Sequence, residues 1–315
     1  MLPETICYFG AKGNNMIRQS IGHFQKNLKK ILPDDLKEKF EGYKIIFYFH
    51  KDFMIGVDQE RKVIKISNYA VEYIWAWTAH WVFLYDYCHD ENLTLSDVIS
   101  KWDKIAKKPQ LKRTIFLLKL MKFNSENDLS EQAPWIIKHL NPMEVKNSIV
   151  EKVNMIFNYV LLSMILHEYG HIENEHPSVI TVDDDSRRAE KEADDFSFDK
   201  YIDSLDNWDK NAIKNFAWIG VVCSQLIIFN LSHLNSDYYH KYGEPCSRLD
   251  RAVTAIESKN TFDGNDSIYA FLSLVLWLCM KNDGVTVPSN ENVTFKDQYA
   301  DLLVEMNRLI KKFIR

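Results

Sequence analysis

The sequence lacks an apolar run as long as the roughly 20 residues that a membrane-spanning helix requires. Its most apolar stretches, 217–231 and 268–280, are shorter, and the first is interrupted by polar residues. The N-terminal residues also lack the basic segment followed by an apolar run that is typical of an export signal. We therefore expect two buried helices, no membrane span and a cytoplasmic protein.

Cysteine, glycine and proline are also scarce. The five cysteines form no CxxC pair, and their odd number leaves one over, which argues against a disulfide framework and a four-cysteine zinc site. With 10 glycines, 8 prolines and 46% apolar residues, the chain has the composition of an ordinary globular protein. A formal charge of −5 gives no general attraction to nucleic acid or to anionic membranes.

Local patterns place β-structure early in the chain and helices after it. Three short β-rich runs, 44–50, 53–58 and 62–67, are separated by polar breaks, which predicts an antiparallel meander. The following sequence favours helices over 69–88, 96–122, 145–173, 186–203, 209–234, 248–258, 266–281 and 295–314. The expected class is α+β and mainly helical.

The chain has no internal repeat and no linker rich in Pro, Gly or Ser. We expect an N-terminal region at 1–148, with the meander and with aromatic and basic helices, and a catalytic helical region at 149–315. The two can also form one continuous domain.

Two conspicuous segments have structural explanations. The helix at 69–88 is rich in Trp, Phe and Tyr, which predicts core packing because large aromatic side chains dominate protein interiors. Residues 101–122 contain eight Lys and Arg, which predicts a solvated helix face. Stacking on bases or sugars, and docking of an acidic partner, are the less favoured alternatives. We expect no direct binding of nucleic acid.

The most informative segment ends a long apolar helix, where residues 167–171 read HEYGH. Positions i and i+4 lie on one helix face, so His167 and His171 can direct their imidazoles at one metal ion. Two imidazoles in this arrangement suit zinc. Glu168 lies about 100° around the helix, where it can act as general base on the attacking water. A buried histidine pair without metal is the alternative.

A catalytic zinc also needs a third protein ligand and one open position. The HExxHxxGxxH arrangement fails, because residue 174 is Asn, residue 177 is Pro and His176 falls one residue early. The third ligand must therefore come from elsewhere, and a glutamate from a following helix is the alternative.

Such a glutamate occurs in the segment EKEAD, which begins 19 residues after His171. Glu190 and Asp194 lie one turn apart on one helix face. We expect Glu190 to bind the metal and Asp194 to accept a hydrogen bond from a ligand histidine. Ala193 is small enough to let this helix approach the first one closely.

Other residues compete for these roles. Glu192 is the main rival for the third ligand, while the acidic run 183–185 is better explained as a loop and helix cap. Without the upstream motif, 187–195 would read as a mixed-charge surface helix. For the donor to the oxyanion we select Tyr239 and His240 from a set that also includes Tyr238, Tyr242 and Arg248.

The two motifs, HEYGH and EKEAD, resemble those of the gluzincin zinc peptidases, which combine HExxH with a downstream glutamate. In length, motif position and helical texture the chain is most similar to the Lit-like phage-exclusion peptidases. The two histidines and Glu190 predict one zinc ion per chain. The resemblance implies a protein substrate of the elongation factor Tu type and activation by a phage protein.

Two alternatives remain open. In the motif region the chain is also similar to peptidases that cleave phage and stress-response repressors. It can also be a binding or regulatory protein whose metal site is structural or lost. A structural zinc would take His176 or Asp194 as its fourth ligand. In either enzyme reading, an edge of the meander can bind the substrate as an added strand.

Overall fold

The computed structural model of the protein describes residues 24, 28, 32–48, 50, 52–126, 147–177, 183–206, 218–232, 244–258, 265–282 and 293–313. Within them, a small sheet consists of β1 (Lys44–Tyr48), β2 (Ile55–Asp58) and β3 (Val63–Ser67). The helices are α1 (Asp34–Glu41), α2 (Asn68–Asp90), α3 (Leu95–Ile105), α4 (Pro109–Glu126), α5 (Asn147–Glu173), α6 (Asp183–Asp206), α7 (Trp218–Ser232), α8 (Pro245–Ser258), α9 (Asn265–Asn282) and α10 (Phe295–Phe313). The mainly helical α+β class is confirmed.

The three strands form a mixed sheet in the order β1, β3, β2. β1 runs parallel to β3, and β2 runs antiparallel to it. The strands lie where the sequence predicts them, but the predicted antiparallel meander is wrong. β3 is central because four of its five residues are buried, whereas all four residues of β2 are only partly buried.

The basic segment predicted as one helix over 96–122 forms two, α3 and α4. Pro109 explains the break, because proline lacks the N–H group of a helix interior and disfavours helical geometry in the preceding residue. Thr94 caps α3: its hydroxyl accepts from the N–H of Asp97, whose carboxylate accepts from the N–H of Thr94. The lysines of this segment whose side chains are described are exposed, as predicted.

The aromatic helix α2 lies in the core, as predicted. Ser67 ends β3 and caps α2 by accepting a hydrogen bond from the N–H of Ala70. From Asn68 to Leu84 every residue except Trp77 is buried. Its aromatic side chains pack against one another and against other helices, such as Trp81 against Phe271 of α9.

α5 is the central helix of the fold. All eleven residues from 156 to 166 are buried, because α2, α6, α7 and β2 pack around them. α8 packs against α6 and α7, and α9 packs against α10. The two apolar stretches noted in the sequence are the largely buried helices α7 and α9. No helix among the described residues has the length and apolar character needed to cross a bilayer.

The described part of the chain contains four cysteines, all free and buried: Cys88, Cys223, Cys246 and Cys279. The hydrophobic core includes residues from both sides of position 148. The division of the chain into two regions there stays a prediction.

Candidate active site

α5 ends in the turn that carries the HEYGH segment. The Nε2 atoms of His167 and His171 lie 3.2 Å apart, as expected for side chains on one helix face. Their side chains are 12% and 15% exposed, so the pair lies just beneath the surface.

α6 crosses the end of α5 and brings a carboxylate to the two imidazoles. Glu190 Oε2 lies 3.2 Å from Nε2 of His167, and Oε1 lies 3.6 Å from Nε2 of His171. One ligand atom from each of the three residues lies within 4.8 Å of the others, so the group could hold a metal ion. Two imidazole nitrogens and a carboxylate oxygen are a donor set that suits zinc.

Two of the competing acidic residues, Glu192 and Asp185, do not join this group. Glu192, on the same helix as Glu190, contacts His176 instead, with 2.8 Å between Oε2 and Nε2. Asp185 is exposed and accepts a hydrogen bond from Arg188 at 3.1 Å. The side chains of Asp183 and Asp184 lie outside those described.

Asp194 lies behind His167, on the side away from the other two residues of the group. Its Oδ1 is 3.0 Å from Nδ1 of His167. Asp194 is fully buried. Two arginines of α8 donate to it, Arg248 to Oδ1 at 2.7 Å and Arg251 to Oδ2 at 3.0 Å. Asp194 therefore touches the histidine and both arginines at once.

The same charges set the protonation of the site. Burial raises the pKa of the Asp194 carboxyl, but Arg248 and His167 outweigh it and hold that pKa well below its usual range. For Glu190, burial is likewise outweighed by His167 and Arg248, and its pKa is lowered. Both carboxyl groups are therefore ionised at neutral pH.

The two histidines differ in charge. Burial lowers the pKa of His167, but Asp194 and Glu190 outweigh it and raise the pKa to about 10. Burial and the charge on His167 lower the pKa of His171 to about 3. Before a metal binds, the ring of His167 is therefore protonated on both nitrogens, whereas the ring of His171 is neutral and carries a single N–H proton.

A cleft that is partly open to solvent lies beside the group. Glu168 lines it together with His167 and Glu190, and is not one of the three residues that could hold the metal. The remaining lining consists of Phe53, Ile55, Ser163, Met164, Ser224, Gln225, Ile228, Leu231 and Arg248. Since Ile55 begins β2, the edge strand of the sheet borders the cleft.

The structure also shows which residues sequence reasoning missed. Arg251 and Gln225 surround Asp194, and Gln59 donates to main-chain carbonyls at the end of α5. The presence of arginines near Asp194 could have been inferred from the sequence, because two carboxylates on one buried helix face require cations nearby. Gln59 carried no signal in the sequence. Tyr239 and His240, with Tyr238 and Tyr242, lie outside the described residues.

Comparison with known families gives the class of protein. The profile of the family described as peptidase U49 matches residues 64–270, more than half of the chain. The chain belongs to the peptidase U49 family. In this U49 peptidase the match runs from β3 to the start of α9 and contains all three residues that could hold a metal. No curated protein and no solved structure shows significant similarity to the chain.

Proposed function

We propose that this U49 peptidase is a zinc-dependent endopeptidase, with the ion held by His167, His171 and Glu190 and with Glu168 as general base. The observation that carries the proposal is the position of the three-residue group at a cleft that Glu168 also lines. Catalytic zinc sites use three protein ligands and keep one position open, and this donor set has that number.

A structural zinc would need a fourth protein ligand. The two candidates, His176 and Asp194, lie against the outer ring nitrogens of the histidines, at 2.9 Å from Nδ1 of His171 and 3.0 Å from Nδ1 of His167. Both therefore fit a supporting role better than a place among the ligands.

Zinc bound in this group would lower the pKa of a water molecule and polarise the scissile carbonyl. Glu168 takes the proton of the attacking water and delivers it to the leaving amine. Asp194, whose Oδ1 lies 3.0 Å from Nδ1 of His167, would take the proton of that nitrogen in a hydrogen bond and leave Nε2 free for a metal ion. Tyr239 and His240 are the proposed donors to the oxyanion.

The substrate is proposed to be a protein segment in extended conformation. Among the described residues, β2 pairs with β3 on one side only, and the cleft lies beside β2. A peptide added along that edge gains main-chain hydrogen bonds. The apolar wall formed by Phe53, Ile55 and Met164 favours an apolar side chain next to the scissile bond.

The biological part of the proposal rests on the motif resemblance and on membership of a peptidase family. It is that of a cytoplasmic, Lit-like phage-exclusion peptidase, which cleaves a translation elongation factor of the Tu type when a phage protein is present. A peptidase that shares a compartment with every host protein must be latent, so specificity must come from the cleft or from the activator.

The test compares the wild type with Glu168→Gln, which should retain about one zinc per chain while losing activity by on the order of 10²–10⁴-fold. Glu190→Gln should lose the zinc itself. The wild type and Glu168→Gln are incubated with host lysate, with and without extract from phage-infected cells. New N-termini are then mapped by mass spectrometry. We expect one or very few cleavage sites, in a translation factor, only with the extract.

Other outcomes are equally decisive. Full zinc occupancy in both His167→Ala and His171→Ala would remove the proposed site. Broad digestion without extract would contradict latency. A phage or stress repressor as the sole zinc-dependent target would assign the protein to the repressor-cleaving peptidases.

A further inference from the structure

His167, His171 and Glu190 together form the metal group. A chain of three side chains, which begins with His171, leads from this group to the surface. Nδ1 of His171 lies 2.9 Å from Nδ1 of His176, and Nε2 of His176 lies 2.8 Å from Oε2 of Glu192. His176 is buried, whereas the side chain of Glu192 is 47% exposed. The two histidines of the metal group therefore have different partners. His171 reaches a carboxylate only through His176, whereas His167 contacts the buried carboxylate of Asp194 directly.

The end of α5 places His176 against His171. The N–H of His176 donates to the carbonyl of His171, and the N–H of Glu175 donates to that of Ile172. With Glu175 at a φ of 53°, these are the two hydrogen bonds of a Schellman motif. In that motif the residue after the left-handed position folds back onto the last full turn, where an apolar contact is usual. Here the contact is between two imidazoles.

Gln59 fixes this arrangement from the sheet. Its side-chain amide donates to the carbonyl of His176 at 2.9 Å and to that of His171 at 3.3 Å. Gln59 belongs to the turn between β2 and β3. The backbone that carries both imidazoles is therefore held by a second element of the fold.

The positions of the ring protons follow when the contacts are taken in order from Glu192 to His171. A carboxylate oxygen accepts, so the 2.8 Å contact with Glu192 favours the His176 tautomer that carries its proton on Nε2. Nδ1 of His176 is then an acceptor, and it requires a proton on Nδ1 of His171. That leaves the lone pair of His171 on Nε2, the atom that faces Glu190 and His167. The contacts select the tautomer that a metal ligand needs.

We propose that His176 and Glu192 are positioning residues that hold His171 as the Nδ1–H tautomer, with its Nε2 directed at the metal. The inference rests on the proposed function, because it assigns His171 as a ligand. It gives a role to the glutamate that competed with Glu190 for the third ligand position.

The experiment measures zinc affinity by competition with a chromophoric chelator in variants at these two positions. His176→Phe keeps an aromatic ring without an acceptor, and Glu192→Ala removes the terminal carboxylate. Each should weaken zinc binding by roughly 10–100-fold, as loss of a ligand's outer partner usually does. The double variant should bind no more weakly than His176→Phe alone, because Glu192 acts only through His176.

Two further variants separate positioning from general damage. Glu192→Gln retains an oxygen that accepts from Nε2 of His176, so it should keep affinity close to the wild type. Lys191→Ala changes the exposed neighbour and should have no effect. Losses that multiply in the double variant, or full affinity in both single variants, would overturn the proposal.

Nitrogen NMR of the imidazole rings in the metal-free protein gives a readout that does not depend on zinc. The signal of His171, assigned with His171→Gln, should show a proton on Nδ1 in the wild type and lose that preference in His176→Phe. A wild type that bound no zinc would sink the proposed function, yet this measurement would still decide the role of His176. An Nε2–H tautomer in the wild type would refute it.

Discussion

Gly170 of α5 and Ala193 of α6 touch through their main chains. A Cβ atom built on Gly170 would lie 2.9 Å from both the Cα and the carbonyl oxygen of Ala193, closer than real Cβ atoms come to other heavy atoms. His171 is the next residue along α5, and Glu190 lies about one turn before Ala193 on α6. The contact therefore sets the distance between the two helices that carry the metal group.

Gly170→Ala should push these helices apart. Alanine is favoured over glycine in a helix by about 1 kcal/mol, but overpacking a fixed contact costs about 1–3 kcal/mol. We expect a net loss of up to ~2 kcal/mol in the free energy of unfolding, measured by urea denaturation. Zinc affinity should fall by on the order of 10-fold or more, because ligand distances tolerate little displacement.

Gly56→Ala in β2 is the matched control, since a Cβ there meets nothing within 4 Å. It should leave zinc affinity unchanged. If Gly170→Ala instead gained stability and kept its zinc, the close contact would not govern the site.

A second prediction separates the two arginines of α8. Arg248 is buried between Asp194 and Glu190, whereas the side chain of Arg251 is 26% exposed. Removing one partner of a buried ion pair costs about 3–5 kcal/mol, and the loss is smaller where the removed cation is partly exposed and screened by solvent. Arg248→Ala should therefore destabilise the metal-free protein far more than Arg251→Ala, as measured by denaturant unfolding with a chelator present.

Arg248→Lys supplies an intermediate test, because it keeps the charge but cannot reach both carboxylates with a planar fork. Its stability should lie between that of the wild type and that of Arg248→Ala. Equal losses for the alanine variants of Arg248 and Arg251 would contradict the burial argument.

A third prediction concerns proton release on zinc binding. Before binding, the ring of His167 is protonated, because its two carboxylate neighbours outweigh burial and raise its pKa to about 10. His171, with a pKa lowered to about 3 by burial and the charge on His167, is already neutral. A ligand imidazole must give up its Nε2 proton, so zinc binding should release about one proton.

The sign of the pH dependence follows. Zinc affinity should rise by about tenfold per pH unit between pH 5 and 7, because raising the pH favours the form without that proton. Titration calorimetry at pH 6 in two buffers of different ionisation enthalpy counts the protons. Binding heats independent of the buffer would mean that His167 is neutral beforehand.

A fourth prediction uses the left-handed residue after α5. Glu175 has a φ of 53°, a conformation that costs a residue with a side chain roughly 1–2 kcal/mol and glycine almost nothing. Glu175→Gly should raise the free energy of unfolding by about 0.5–1 kcal/mol with zinc affinity unchanged. Glu151→Gly, at an exposed position inside α5, should lower it by about 1 kcal/mol. Destabilisation by both would show that Glu175 makes a compensating contact.

Much of the metal group was predictable because it depends on local periodicity. The helical repeat alone predicted that His167 and His171 share one face of α5 and that Glu190 and Asp194 share one face of α6. The structure brings three of these four residues together in one group. The positions of the helices after the sheet followed largely from the same repeat, whereas α1 was not predicted. The break before Pro109, absent from the predicted helix over 96–122, also follows from a local rule, because proline disfavours helical geometry in the residue before it.

The remaining features depend on contacts between distant parts of the chain. The sheet order follows from β3 being more buried than β2, which the alternation of apolar residues in each run did not reveal. In the sequence, His176 stands one residue early for the HExxHxxGxxH arrangement and is a candidate fourth ligand of a structural zinc, but nothing there indicates its contact with His171. Its position follows from the Schellman motif at the end of α5. That motif is hard to recognise in the sequence, because its left-handed residue is Glu175 and not the usual glycine.

The burial of α5 has a consequence for what the metal does. The buried segment 156–166 opens only when the surrounding fold is lost, so the protection of its amide hydrogens against exchange should correspond to the free energy of global unfolding. The turn that carries the histidines continues from this segment without interruption. Small zinc-organised folds collapse when a chelator removes the ion. Here the fold would persist without the metal, so that removal of the metal would abolish activity without unfolding the protein.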